Sequence, residues 1–199
     1  MIAQFQVVLI PCGGKREAEV YEPIKKMAAE LKAAGIRVIL DDSKQSMGDK
    51  LYYWELKGTP LRIELGPRDL EKGEYVLVAR DLGKDGKKSE KIADLVPTIK
   101  HELEELKNRL REKAFKYHED HITTCKTLDE ICDCITNKGG FARFPFFSMG
   151  NEAKAEEEKI KVRCGAEIRG YWPEEKCENE TCAITGQPAT VWAYAARAY

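Results

Sequence analysis

Apolar residues in the first half of the chain change period several times. Residues 5–10 (FQVVLI) form a continuous apolar run of strand length, as in a central strand covered on both faces, and the run ends at Pro11. Val20, Ile24, Met27, Ala28, Leu31 and Ala34 then recur at helical spacing and stop at Gly35, the residue type that closes helices in the left-handed conformation. Residues 36–40 read as a second strand, so the pattern predicts a strand, helix and strand joined in a right-handed parallel crossover. A short helix over residues 48–56 leads to Leu61, Ile63 and Leu65, whose alternation puts Arg62 and Glu64 on the opposite face of a third strand. That polar face meets water or a polar ligand. After the turn GPRDLEKGE, residues 75–79 predict its hairpin partner, which makes the sheet mixed. Ile92, Leu95, Ile99, Leu103, Leu106 and Leu110 then stripe a long amphipathic helix, with Asp94 as a cap and Pro97 in the first turn.

The texture changes after about residue 120. TLDEICDCITNKGGFARFPFF reads as a short helix stopped at Gly139 and Gly140, followed by a strand. EAKAEEEKIK, residues 152–161, reads as a solvated helix, and the partly alternating ATVWAYAARAY predicts a terminal strand. No repeat or low-complexity linker interrupts the chain. The expected organisation is an α/β domain over residues 1–117 and a small α+β domain over residues 118–199.

Charge and composition narrow the functional classes. The 199 residues are 43% hydrophobic and 34% charged, and 33 basic against 34 acidic residues give a formal net charge of -1. No global field draws such a chain to nucleic acid or an acidic membrane, so any nucleic-acid binding must be local. The chain has no apolar run of membrane-spanning length, and MIAQFQVVLIPCGGK lacks the basic start and cleavage site of a signal peptide, which gives a cytoplasmic expectation. Seven cysteines, an odd number, fit reduced thiols better than a disulfide framework. PCGGK lies between a strand and a helix but departs from the GxxxxGK[ST] phosphate loop. His118 and His121 stand about one helical turn apart at a helix end, as a metal pair or as solvent-facing side chains. No nucleophile, base and orienting group assemble from the sequence, so no catalytic residue is assigned.

A resemblance adds to this reading. WELKGTPLRIELGPRDL, preceded by QVVLIPCGG and followed by ARDLGKDGKKSEKI, resembles the C-terminal half of prolyl-tRNA synthetases of the archaeal and eukaryotic type, and the match continues through KAFKYHEDH and GGFARFPF to the terminal ARAY. It implies a class II anticodon-binding domain, a mixed sheet flanked by helices, followed by the small C-terminal α+β domain of this type. The implied partners are proline tRNA and an upstream catalytic core, with a homodimer in the full-length form. ATP and magnesium would belong to that core, and this chain alone is expected to be inactive. MIAQFQ begins where the core would just have ended, which fits a piece of a longer protein or a stand-alone relative. The alternative is a stand-alone RNA- or protein-binding module that reuses the fold.

The resemblance also implies residue roles. Proline anticodons contain two adjacent guanines, whose Watson–Crick edge offers N1–H and N2–H to a carboxylate and whose O6 and N7 accept from Arg or Lys. Glu55, Arg62, Arg68 and a lysine at Lys87 or Lys88 fall at the positions that read those bases in the family. Arg68 stands where some relatives have Lys. The family's zinc site, a Cys-x4-Cys pair and a later Cys-x2-Cys pair, falls on Met149 and Lys154, then on Cys182 and Thr185. Only Cys182 is retained, and Cys164, Cys177 and Cys182 lack a fourth ligand, so no bound zinc or other cofactor is expected. The C-terminal Tyr199 packs either locally or, as the resemblance implies, back toward the catalytic core.

Overall fold

The computed structural model describes residues 2–198, apart from the side chains of Lys15 and Lys84, so Tyr199 and its expected contact lie outside the described residues. The chain divides inside its longest helix into two compact units, Met1–Glu112 and Lys113–Tyr199.

The first unit is a five-stranded mixed sheet in the order β2-β1-β3-β4-β5. β1 (Val7–Pro11) pairs in parallel with β2 (Val38–Leu40) and with β3 (Leu61–Leu65), while β4 (Glu74–Ala79) and β5 (Lys87–Lys91) continue antiparallel. One face is sealed by α1 (Glu17–Ala33) and the first half of α4 (Leu95–Asp120), which bury Ile24, Leu31, Leu95 and Ile99 against Leu9, Ile63 and Leu77. α2 (Met47–Leu56) covers part of the other face, where Trp54 packs on Val8 and Ile10. These elements follow the periodicity read above. The expected turn between β3 and β4 is instead a helix, α3 (Pro67–Lys72). Pro67 sits in its first turn, Asp69 Oδ2 accepts from the Gly66 N–H at 3.0 Å, and Gly73 closes it at φ 69°. Leu110, placed on the buried stripe of α4, is half exposed.

A buried polar cluster fastens α2 to the sheet. Asp41, just beyond β2, is 7% exposed; its Oδ2 accepts from Trp54 Nε1 at 2.6 Å and its Oδ1 from Ser43 Oγ at 2.6 Å. Lys50 is 4% exposed and donates to the Asp41 carbonyl at 3.2 Å. Burial works to raise the Asp41 pKa, but hydrogen bonds from Ser43 and Trp54 and the Lys50 charge outweigh it and hold the carboxyl below its ordinary range. A carboxylate depressed in the folded state stabilises the fold above its unfolded pKa and loses that contribution as pH falls through the folded value. Asp41→Asn should therefore lower the denaturant midpoint at neutral pH, and the gap from the parent should close as both are taken below about pH 4. A gap of the same size at both pH values would show that the Asp41 charge contributes nothing.

The second unit is a four-stranded sheet in the order β6-β7-β9-β8, comprising β6 (Ile122–Thr124), β7 (Phe141–Phe146), β8 (Ala166–Tyr171) and β9 (Val191–Arg197). α5 (Leu128–Asp133), continued by a π-helical turn to Lys138, and α6 (Lys154–Cys164) bury Ile131, Ile135 and Ile160 against Phe144, Phe146, Ala193 and Ala195.

Candidate nucleic-acid interface

Alternation on β3 divides its side chains between the two faces of the first sheet. Leu61, Ile63 and Leu65 are fully buried under α1 and α4, whereas Arg62 and Glu64 project to the face that α2 covers only in part. Strand register then lines up three positions. Arg62 lies opposite Val78 on β4, and Val78 lies opposite Lys87 on β5, so Arg62, Val78 and Lys87 form one row across three strands.

Glu64 organises the charges of this face. Its Oε1 accepts from Arg62 Nε at 2.9 Å and its Oε2 from Lys87 Nζ at 3.0 Å. Glu64 is only 8% exposed, and a carboxylate tolerates that burial because both of its oxygens are paired. The pairing fixes the plane of the Arg62 guanidinium and leaves its two terminal nitrogens without a protein partner among the described residues. Beside this row lies a cleft of ≈ 470 Å³, walled by Val8, Leu51, Trp54, Pro60 and Val78 and edged by Glu55, Arg62, Arg80 and Lys87. Glu55 is exposed and makes no ion pair among the described residues. Nearby, burial pushes the Cys12 thiol up to about 11, with the Glu64 charge acting in the same direction, so it stays protonated at neutral pH.

Glu55, Arg62 and Lys87 thus share one cleft. Arg68 stands apart from it, exposed on α3 past the end of β3 and without an ion pair among the described residues. Lys88 belongs to the opposite face. It lies opposite Leu77, which faces the buried Ile63, and its Nζ reaches Glu102 Oε2 on α4 at 3.2 Å. Glu102 also accepts from Arg109 Nη2 at 2.8 Å, and Arg109 binds Asp81 through two nitrogens at 2.6 and 3.1 Å. Neighbouring residues of a strand cannot serve one face, so of the two lysines only Lys87 belongs to the cleft. Sequence reasoning overlooked Glu64 as a hub and Arg80 as an edge. Glu64 was visible as the same-face neighbour of Arg62, but its second partner sits on β5, and the polar sequence KKSEK gives no strand pattern.

The other candidates separate in the same way. His121 turns back to the Tyr117 carbonyl at 2.7 Å and stacks on its ring, while His118 lines a groove of the second unit. Met149 packs against the second core, Lys154 is exposed at the start of α6 and Cys182 is buried. The turn from Cys182 closes by its own backbone, with Cys182 N–H donating to the Gln187 carbonyl at 2.7 Å and Gly186 N–H to the Cys182 carbonyl at 3.1 Å. Among the described residues no group of three or more His, Cys, Asp or Glu side chains is gathered as a metal site. Nor, among them, is any helix long and apolar enough to cross a membrane.

Comparison with known proteins follows the same division into two units. Residues 6–102 match the family model described as an anticodon binding domain, and residues 128–199 match the model for the prolyl-tRNA synthetase C-terminal region. The proline-tRNA ligase of Pyrococcus abyssi is 37% identical over 209 residues, which takes in all of this chain and 41% of that protein. The chloroplastic/mitochondrial proline-tRNA ligase of Arabidopsis thaliana is 36% identical over 205 residues, covering all of this chain and 37% of its own length. Among solved structures, Giardia lamblia prolyl-tRNA synthetase in complex with prolyl-adenylate superposes with a TM-score of 0.91 at 43% identity, covering all of this chain and 44% of that one. The chain belongs to the prolyl-tRNA synthetase family. It spans about two fifths of the length of the curated relatives it matches, and it corresponds to their C-terminal part, a class II anticodon-binding domain followed by the C-terminal domain.

Within the prolyl-tRNA synthetase signature, several residues prove to be scaffold. In WELKG, Trp54 ties α2 to Asp41 and so places Glu55. In GPRD, a Cβ at Gly66 would lie 3.0 Å from Asp69 Oδ2 and 3.1 Å from the Cys12 carbonyl, so a larger residue needs the Asp69 side chain and the Cys12 backbone to give by a few tenths of an ångström.

Proposed function

We propose that the cleft edged by Glu55, Arg62 and Lys87 reads the adjacent guanines of a proline anticodon. The observation that carries this reading is the gathering of three cations and one carboxylate, unpaired among the described residues, around a single apolar-walled cleft. Glu55 suits the N1–H and N2–H donors of guanine, and Arg62 and Lys87 suit its acceptors. Arg68, standing outside the cleft, serves the second guanine. A catalytic core holding ATP, magnesium and proline belongs to the part of the relatives that this chain does not match. The whole protein is then a cytoplasmic, homodimeric proline-tRNA ligase, and this chain alone attaches no proline.

A net charge of -1 leaves little for a sequence-independent grip on phosphates, so affinity rests on a few base contacts. Replacing either anticodon guanine of a proline tRNA transcript with adenine should weaken binding by roughly 5-fold to over 100-fold, the range of about 1–3 kcal/mol for one bidentate contact. Arg62→Ala or Glu55→Ala should erase much of that difference while leaving weak non-cognate binding nearly unchanged. Equal binding of the parent chain to both transcripts would reject the reading. Lys88→Ala is the internal control: Lys88 is half exposed and the buried Glu102 keeps its Arg109 partner, so the change should cost about 1 kcal/mol of stability and leave discrimination intact.

No zinc is expected in this chain. Zinc takes thiolate, imidazole or carboxylate ligands, and Met149 and Lys154 stand in place of the first family pair. Elemental analysis after purification without chelator should give well below one zinc per chain. A stoichiometric metal content would overturn this.

A further inference from the structure

In the second unit, α5 and α6 cover one face of the sheet, and the opposite face has Trp192 buried but Phe141 and Tyr171 exposed. That face carries Phe141 and Arg143 from β7, Trp192 and Tyr194 from β9 and Arg169 from β8. The loop after β8 shields one end of it. Glu175 accepts from Arg143 Nε at 2.8 Å and from the Tyr194 hydroxyl at 2.9 Å, Trp192 Nε1 donates to the Lys176 carbonyl at 3.2 Å, and the Arg143 guanidinium lies 3.6 Å from the Trp192 ring centre. At the other end the face opens into a groove of ≈ 220 Å³. Phe141, Tyr171, Trp172 and Tyr194 wall it, His118 and Arg169 stand at its edge, and none of its lining residues is acidic. Trp172 is 58% exposed there.

We propose that this groove takes a single unstacked nucleobase of a single-stranded RNA. Its volume falls below the roughly 300–1,000 Å³ of drug-sized sites and suits one planar ring system. Sheet faces bearing aromatic side chains bind bases by stacking, and because every base has a π-face the grip tolerates sequence. The charge at the edge decides between occupants. An apolar side chain of a partner protein would fill the walls and leave Arg169 and His118 unused, whereas a nucleotide brings a phosphate for both. Among the described residues Arg169 has one ion pair, Nη1 to Glu167 Oε2 at 3.4 Å, which leaves its other donors for that phosphate. This inference goes beyond the anticodon reading and does not depend on it.

The test uses the 199-residue chain carrying Glu55→Ala and Arg62→Ala, which removes two of the reading groups of the first-unit cleft while the buried Glu64 keeps its Lys87 partner. The probes are a fluorescein-labelled four-nucleotide RNA, its abasic counterpart and a 4-thiouridine version for photocrosslinking. The labelled RNA should bind this double variant, the abasic probe should bind far less, and crosslinks should map to Tyr171 or Trp172. Adding Trp172→Ala should weaken binding by roughly 5-fold to over 100-fold, as expected for the loss of one stacked base, and Trp172→Phe should restore most of it. Circular dichroism of each variant checks the fold. Equal affinity with Trp172→Ala, equal binding of the abasic probe, or crosslinks confined to other surfaces would overturn the proposal and return these aromatics to a protein contact.

Discussion

Trp54→Ala should destabilise the first unit by about 3–5 kcal/mol, the usual cost of truncating a buried Trp to Ala. A loss of that size is comparable to the whole stability of a small domain. Trp54 is 8% exposed and meets Phe5 edge to face at 6.1 Å and Tyr53 at 5.0 Å. Truncation removes this packing and also the indole N–H that satisfies Asp41, leaving a buried carboxylate short of a donor. Trp54→Phe separates the two effects, because it keeps most of the volume and loses only the hydrogen bond, at about 1–3 kcal/mol. Denaturant titrations of the three proteins measure both steps. If Trp54→Ala unfolds at the parent midpoint, α2 is not fastened to the sheet through this residue. The change also bears on function, since Glu55 follows Trp54 directly and loses its placement with it.

Most of the first unit could be read from the sequence because Glu17–Ala33, Met47–Leu56 and Leu61–Leu65 have one apolar side each, and period 2 or 3.6 then declares itself. Val7–Pro11, buried on both faces, shows instead as a continuous apolar run. The elements that escaped reading lack that contrast. β5 is KKSEK, an edge strand held by backbone pairing to β4, and its lysines gave no sign of which faced which side. β6 and β8 are short or interrupted, and the register of β8 slips between Ile168 and Gly170 where it meets β9. α3 was hidden because Gly, Pro and Asp are turn residues as well as helix-start residues, and only the Asp69 bond back to Gly66 decides between them. Glu55 and Arg62 were identified through the resemblance, not through any spacing rule. The role of Glu64 depends on a contact 23 positions away along the chain, and local pattern carries no trace of such a contact.

That contact supports a second large effect. Glu64→Gln should cut guanine discrimination by roughly 10-fold to 100-fold, near the full value of one bidentate base contact of about 1–3 kcal/mol. The glutamine keeps the shape of the side chain but has one acceptor oxygen where the glutamate has two. If that oxygen faces Arg62 Nε, the amide nitrogen faces the Lys87 ammonium, donor against donor, and the reverse orientation fails Arg62 in the same way. Either cation then swings out of the row, and the two charges are no longer separated by an anion. Loss of the carboxylate also makes the chain one unit more positive, so binding to RNA of any sequence should hold or strengthen slightly, with a steeper dependence on salt. The combination is diagnostic: discrimination falls while non-cognate affinity does not. Arg62→Ala by contrast removes the reading group outright and should lower cognate affinity with no gain elsewhere. Competition between a proline transcript and its guanine-substituted form, run at two salt concentrations, distinguishes these outcomes. If Glu64→Gln discriminates as well as the parent, Arg62 holds its geometry without Glu64, and the carboxylate serves only to neutralise two cations beside a buried sheet.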